Sequence, residues 1–583
     1  VFDRLKTKMY LNQFRNIQPY VRLGLVNIQR RCYEKAALHR QKLSQDMNIH
    51  KANSDSFDVA SKDPIMTEMF PATRTIPMVL NKDPIVLSFD DVPGPKAFKY
   101  ISNFRQYMSE IGTQLTVGML TMALNVGTYL NTKKPLKNLS ALFDEYGPVV
   151  RFVSPVGGDI VLINHPDHIQ KVYTMEGEFP IRSTLDSLEK YRSQHRNIIY
   201  GGLYSVHGEQ WSRQRSVVLS PLRHSITHHI VGINDVCENF TQKICNIRNH
   251  QDEIPKDLYK ELHKWAFDCM AAMVIIFGSK NPVMVSQCDM SWLYHSLQKA
   301  TDAIIKCESG LHFWKLFSTP AWNSLVKYCD SLDNLIGKHV IEIESLFYHH
   351  FIFISSFKML YFPTDNNRSL INAMLMGESK LNAEDIVTVI MDMLLIGVNT
   401  VTSSMSFLLY YLAKYQRAQK ILFREIDQVG TNLKVNDMTK IAELTPYLQA
   451  CIKECLRLAP PIPVLTRILP KNINIDRYNI PRGTLIIMST QDASLKEGNY
   501  DDAAVFYPER WLKDDMKEYH PFASIPFGFG VRKCLGQNVS EAMLSLLTIR
   551  RYKLEYHYGD IGSTRNFISK PNKALKVRFV DRV

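Results

Sequence analysis

The sequence predicts one large, mostly α domain with small β-sheets. Three observations carry that prediction: helical apolar patterns occupy most of the chain, short strand patterns flank turn residues at only a few places, and no Gly/Ser linker or low-complexity tract divides the chain after about residue 90. A chain of 583 residues, 45% hydrophobic and 22% charged, can bury a sizeable core. Its ten cysteines are scattered, with no C-x-x-C pair and no Cys/His cluster at zinc spacing, which argues against a disulfide framework or structural zinc and fits a reducing compartment. The net charge of +13 points to an acidic partner. No basic run is interleaved with aromatics, so a nucleic-acid partner is not expected.

At the amino-terminal end, Met9 to Tyr33 contains no acidic residue, carries Arg15, Arg22, Arg30 and Arg31, and repeats Tyr10, Phe14, Ile17, Val21 and Leu25 at helical spacing. Despite Pro19 and the lack of serine, this pattern reads residues 1–43 as a mitochondrial transit segment. Residues 44–88 read as a polar linker, and 89–583 as the main domain, opened by the stiff turn Val92-Pro93-Gly94-Pro95. Ile111 to Leu130 lacks charges, but its Thr and Gly residues with Gln114 and Asn125 make a poor spanning helix, so it reads as an insertion or surface helix. Phe347 to Phe362 is more apolar, yet too short to span and interrupted by His349, His350 and Lys358; it is either membrane-facing or an error of gene prediction.

Strands are expected at Pro148–Phe152 and Asp159–Asn164 around Gly157-Gly158, at Ile473–Ile480 and Thr484–Ser489 around Pro481-Arg482-Gly483, and through the alternating Leu575, Val577 and Phe579. The longest helical pattern runs from Ala383 to Lys414, with Asn382 as N-cap and Asp385 three residues on. At 1.5 Å per residue it crosses roughly 45 Å, the width of a domain. Gly397 in its middle costs about 1 kcal/mol relative to Ala. A glycine there permits close approach of a flat ligand, and the Thr400 hydroxyl can bond the Ile396 carbonyl and open a local kink. Glu454 and Arg457 share a face as E-x-x-R, which in isolation is a surface ion pair of little energetic value.

Phe527 to Gly536 places one cysteine, Cys534, in a glycine-rich loop beside Arg532. Glycines 528, 530 and 536 allow φ > 0 and close approach to a flat cofactor. The helical pattern from Gln537 through Leu547 offers its N-terminus to the sulfur and favours a thiolate. A structural turn with a buried cysteine is the alternative reading of this loop alone.

The full spacing, F-x-x-G-x-R-x-C-x-G at Phe527, Gly530, Arg532, Cys534 and Gly536, resembles the haem-binding signature of cytochromes P450. The resemblance covers about residue 90 to the end and implies the P450 fold, with its long central helix across the haem. It further implies haem b as cofactor, Cys534 as axial thiolate ligand of the iron, and Arg532 as partner of a propionate. Trp211 and Arg215 (W-x-x-x-R) and Arg467 complete the propionate clamp that the family uses. Glu454 and Arg457 would form a buried scaffold with Arg510 of Pro508-Glu509-Arg510.

In the central helix Gly397 and Thr400 match the family pattern A/G-G-x-D/E-T. Asn399 stands where an acid helps relay protons over the haem, and Ile396 replaces a small residue. Thr400 and Asn399 are the expected catalytic pair. Pro180-Ile181-Arg182-Ser183, Leu188 to Arg192 and Leu448 to Glu454 resemble the animal mitochondrial branch. This implies an inner-membrane enzyme on the matrix side, peripherally associated with the membrane, that takes electrons from an adrenodoxin-type ferredoxin. Lys453 of the usual docking pair is present; Gln449 and Gln537-Asn538 replace other docking charges, and Lys533, Arg550 and Arg551 are the candidates to substitute.

The implied activity is hydroxylation of a lipophilic, sterol- or steroid-like substrate facing Ile462, Pro463, Val464 and Leu465. The alternatives are a P450-fold isomerase or dehydratase acting on a peroxide, and a non-catalytic haem- or sterol-binding protein.

Overall fold

The computed structural model describes residues 86–95, 139–153, 158–198, 201–255, 257–276, 287–309, 312–356, 370–376, 381–429, 440–512, 518–548, 552–564 and 567–582. The transit segment, the linker through residue 85, Ile111–Leu130, Arg550 and Arg551 lie outside them. The apolar run from Phe347 enters the end of the helix Pro320–Ser356, and its side chains also lie outside.

Asn382 caps the central helix as expected, its side chain accepting the Asp385 N–H at 2.7 Å. The helix then runs unbroken from Ala383 to Lys414. Among the described residues it is the one helix long and apolar enough to cross a membrane, but 78% of its apolar window is buried inside the protein. Its apolar character therefore serves a core. The helices Leu258–Ala271, Pro446–Leu458 and Gln537–Thr548 pack on its second half. Leu394, Val398, Met405 and Phe407 are all buried in the resulting cluster. The stretch Met393–Val398 is a π-helical turn, the local opening expected at Gly397.

Among the described residues eight strands, numbered in chain order, form three small sheets. The largest contains β1 (Val149–Phe152), β2 (Ile160–Ile163), β3 (Leu465–Ile468) and β6 (Leu485–Met488), in the order β1-β2-β6-β3. β1, β2 and β6 are buried on both faces, and β3 is half-buried. Val149, Val161, Ile163, Ile486 and Met488 pack to one side, while Val150, Phe152, Ile160, Leu162, Leu485 and Ile487 pack to the other. This is the two-residue strand period with apolar residues in both phases.

The pairing around Pro481-Arg482-Gly483 differs from expectation. Asp476, at φ +55°, turns the chain early, so β4 (Ile473–Ile475) pairs with β5 (Tyr478–Ile480). The following strand, β6, instead joins β3 antiparallel and β2 parallel. A short polar residue tolerates the left-handed region, and that local turn competes with the Pro-Arg-Gly turn. The last strand, β8 (Arg578–Asp581), pairs with β7 (Tyr552–Glu555), which carries no strong signal of its own.

Candidate haem site

The cysteine loop is built from three backbone hydrogen bonds: Gly528 N–H to Ile525 O at 2.9 Å, Lys533 N–H to Gly530 O at 3.0 Å, and Cys534 N–H to Phe527 O at 2.9 Å. Gly528 and Gly530 adopt φ of +71° and +69°, conformations that side-chain-bearing residues resist. Gly530 does not line the cavity: a Cβ there would lie 2.6 Å from Glu176 Oε1, so its glycine serves the loop's packing. Gly536 keeps an ordinary negative φ, contrary to expectation, but it borders the cavity, and a Cβ there would meet no protein atom within 4 Å.

Cys534 sits deep in the molecule and is accessible through the cavity it faces. Burial pushes its thiol pKa up, against the expectation of a free thiolate; the Gly536 N–H, Arg215, Arg182 and Lys533 pull the other way. Coordination to a metal would remove the proton outright.

The cavity, about 850 Å³, is bounded by Phe527, Cys534 and Gly536 of the loop and by Ile396, Gly397 and Thr400 of the central helix. Ile462 to Leu465 also line it, as expected of a substrate-facing segment. Four guanidinium groups converge on it, Arg182, Arg215, Arg467 and Arg532. Arg532 donates to Pro180 O and Val206 O, each at 2.9 Å, and stacks 4.0 Å from the Trp211 ring centroid. Its Nη1 is buried with no partner among the described residues, as is Nε of Arg182. Arg215 bonds Lys533 O at 2.7 Å beside the same tryptophan. Arg467 pairs with Glu176 at 2.5 Å.

Burial first, and then repulsion from Arg182, Arg467 and Arg215, lower the Arg532 pKa to about 9. Crowded cations with unpartnered donors fit a ligand that carries more than one negative charge. Haem, with two propionates at one edge and an iron that takes thiolate, fits this donor set. Arg182 was absent from the expected clamp. Its place in the branch motif was visible, but its burial against Tyr204, with the guanidinium 4.3 Å from the ring centroid, is a tertiary fact.

The scaffold residues meet as the resemblance implies. Glu454, Arg457 and Arg510 are buried; Arg457 forks onto Glu454 at 2.9 and 2.8 Å, and Arg510 adds a bond at 2.9 Å. Trp511 Nε1 and the Tyr507 N–H also donate to Glu454, at 2.9 and 3.1 Å. The isolated reading as a surface ion pair is excluded by this burial.

On the central helix, Thr400 Oγ1 lies 3.0 Å from Ile396 O and 3.1 Å from Gly397 O, the back-bond expected. Gly397 has an additional reason: a Cβ would stand 2.4 Å from the Met270 methyl. Asn399 corrects its expected catalytic placement. It does not border the cavity; Nδ2 donates to Leu395 O at 2.8 Å and to Thr301 Oγ1 at 3.2 Å. One residue step along the helix rotates the Thr400 side chain about 100° away from that of Asn399, and only Thr400 borders the cavity. Lys453 and Lys533 are exposed, Lys533 also bordering the cavity, whereas Gln449 turns inward to Ser545 at 3.1 Å and Gln537 bonds Glu541 at 2.9 Å.

A cysteine loop, an arginine-rich anion edge and a helix with an opened turn fit a haem-thiolate oxidoreductase. The family model described as Cytochrome P450 matches residues 117–579, and the chain belongs to the cytochrome P450 family. Among curated proteins it is 26% identical over 516 residues to a probable mitochondrial cytochrome P450 301a1 of Drosophila melanogaster, covering 84% of this chain and 87% of that one. It is 28% identical to cytochrome P450 CYP12A2 of Musca domestica, covering 81% and 91%, and 27% identical to the mitochondrial 1,25-dihydroxyvitamin D(3) 24-hydroxylase of Rattus norvegicus, covering 71% and 77%. A solved retinoic acid-bound cyanobacterial cytochrome P450 shares the fold at TM-score 0.62 and 17% identity, over 79% of this chain and 96% of its own. The chain is accordingly a mitochondrial-type cytochrome P450 monooxygenase that uses haem b.

Proposed function

We propose that this monooxygenase hydroxylates a lipophilic, sterol- or steroid-like substrate, using O₂ and two electrons delivered by an adrenodoxin-type ferredoxin. The observation that carries the reading is the shared cavity of Cys534, the four arginines and the apolar segment Ile462–Leu465. Similarity to a relative named as a vitamin D 24-hydroxylase supports the substrate class. Haem, when bound, supplies the activation of O₂.

The protein residues bind and orient around it. Cys534 would supply the thiolate sulfur to the iron, Arg532, Arg467, Arg215 and Arg182 would neutralise the propionates, and the Trp211 ring packs against the Arg532 guanidinium. Thr400, on the cavity wall, keeps lone pairs available to accept a hydrogen bond from water while its proton rests on the Ile396 and Gly397 carbonyls. Asn399 cannot ionise and is committed to Leu395 and Thr301, so proton supply depends on Thr400 and water.

Lys453 and Lys533 offer exposed positive charge to the acidic ferredoxin. Phe313, Leu316 and Phe317, 51%, 80% and 59% exposed, support peripheral contact with the inner membrane from the matrix side. A reduced-CO difference spectrum tests the site: a Soret band near ~450 nm is expected from thiolate-ligated haem, and its absence in haem-loaded protein overturns the reading. Labelled oxygen from ¹⁸O₂ in the product separates hydroxylation from the isomerase or dehydratase alternative that the Asn399 and Ile396 departures raise. NADPH consumption with ferredoxin and its reductase separates an enzyme from a haem- or sterol-binding protein.

A further inference from the structure

Three carboxylates border the cavity, and their hydrogen bonds differ. Asp392 is saturated: one oxygen takes Arg192 Nη2 at 2.6 Å and the other takes the Tyr204 N–H at 2.9 Å. Asp492 receives the hydroxyls of Ser140 and Ser489, one on each oxygen. Glu308, at the end of the helix Gln287–Glu308, uses only one oxygen. Its Oε1 accepts both the Ser187 N–H at 2.8 Å and the Ser187 hydroxyl at 2.5 Å, while Oε2 has no partner among the described residues.

This carboxyl is held by Ser187, whose segment is itself tied down. Ser187 belongs to the short helix Asp186–Lys190, and the neighbouring Asp186 pairs with Lys315 at 2.6 Å. Lys190 reaches the Trp314 carbonyl at 3.2 Å. Burial, the largest influence, raises the Glu308 pKa to about 7, with Asp186 adding to it and the Ser187 bonds and Lys315 opposing it. Leaving one oxygen of a poorly solvated carboxyl without a polar partner is costly. The cations on the same cavity disfavour an ammonium group as that partner, whereas a neutral hydroxyl enters without electrostatic opposition.

We propose that Glu308 is a specificity-determining residue, its Oε2 accepting a hydrogen bond from a hydroxyl group on an otherwise apolar substrate while Oε1 remains on Ser187. The proposal rests on the haem-thiolate monooxygenase reading and deepens it. The anchored hydroxyl fixes which end of the substrate lies at Glu308, and therefore which carbon is presented for oxidation.

The test uses full-length haem-loaded protein and matched probes: cholesterol with its 3-methyl ether, and dodecan-1-ol with its methyl ether. Binding is followed by the Soret shift of the oxidised protein, with dodecylamine as a cationic comparator in a competition format. At about pH 8.5, above the raised Glu308 pKa so that the carboxyl is ionised, the wild type is expected to favour each alcohol over its ether about tenfold, the value of one hydrogen bond to a charged acceptor. Glu308→Gln preserves an oxygen for Ser187 but turns an amide donor to the cavity, and should bring that ratio to about one. Ser187→Ala weakens the positioning of Glu308 without removing the acceptor and should retain most of the preference.

Equal binding of alcohol and ether by the wild type, no detectable binding of any probe, an unchanged ratio in Glu308→Gln, or stronger competition by the amine would each overturn the assignment. A normal reduced-CO band near ~450 nm in the same samples keeps such a failure distinct from failure of the haem-thiolate reading itself.

Discussion

The cysteine loop and the central helix face one cavity but obtain their geometry by opposite means. The loop is specified locally: glycines at positive φ, three short-range backbone bonds and a cysteine seven residues after the phenylalanine that accepts its N–H. The helix opening is specified by what packs against it. Met270 occupies the space above Gly397, and Thr301 engages Asn399 from a helix 98 residues away. A locally encoded site survives divergence as a readable motif, whereas one encoded by packing can change its letters while keeping its shape. Asn399 shows this: an amide can donate to Leu395 O, and a carboxylate cannot.

The largest test of this contrast is at the loop. Cys534→Ala should abolish the ~450 nm reduced-CO band and lower turnover by at least about a thousandfold, because no other cysteine among the described residues lines the cavity to supply a thiolate. Retention of the band would show that the loop does not hold the iron. The buried scaffold comes next. Glu454→Gln leaves Arg457 and Arg510 partly uncompensated at a fully buried position, so denaturant unfolding should register a loss of about 3–5 kcal/mol.

Restoring the family's acid is the sharper probe of the helix. Asn399→Asp should not raise the reaction rate; it should destabilise the protein by about 1–3 kcal/mol, since a buried carboxylate would face the Leu395 carbonyl. Faster turnover with unchanged stability would instead mean that position 399 can act in proton delivery.

His263 supplies a pH test on the same side. Burial lowers its pKa to about 4, with Asn399 and Asp302 opposing. The unfolded chain therefore takes up this proton first as pH falls below about 6.5, and stability is lost between there and about 4, reaching on the order of 2–3 kcal/mol. His263→Gln should flatten that limb of the stability profile measured by chemical denaturation. The smallest effect concerns the surface: Lys453→Ala should slow reduction by an adrenodoxin-type ferredoxin a few-fold at low salt, with the difference disappearing as ionic strength rises.

Much of the fold was legible because its signals are periodic or local. The cap at Asn382, the uninterrupted run to Lys414, the Thr400 back-bond and the strands β1 and β2 all follow from neighbours within a few residues. The errors share another cause. The β4–β5 turn depended on Asp476 accepting positive φ, and β6 found its partners in β2 and β3, far apart in sequence. Gln449, expected on the docking surface, turns to a serine 96 residues away.

The sequence by itself determined the class of chemistry. A cysteine in that glycine-rich spacing, with E-x-x-R and P-E-R behind it, names a haem-thiolate protein because each motif is short and its residue types have few substitutes. Only the tertiary structure decided how the cavity is charged and who faces it. Arg182, Arg215, Arg467 and Arg532 come from four separate segments, and Glu308 reads as an ordinary helix-end acid until its burial beside Ser187 is seen. The physical reason is that hydrogen-bond satisfaction and desolvation depend on every group surrounding an atom, and linear spacing does not reveal those groups.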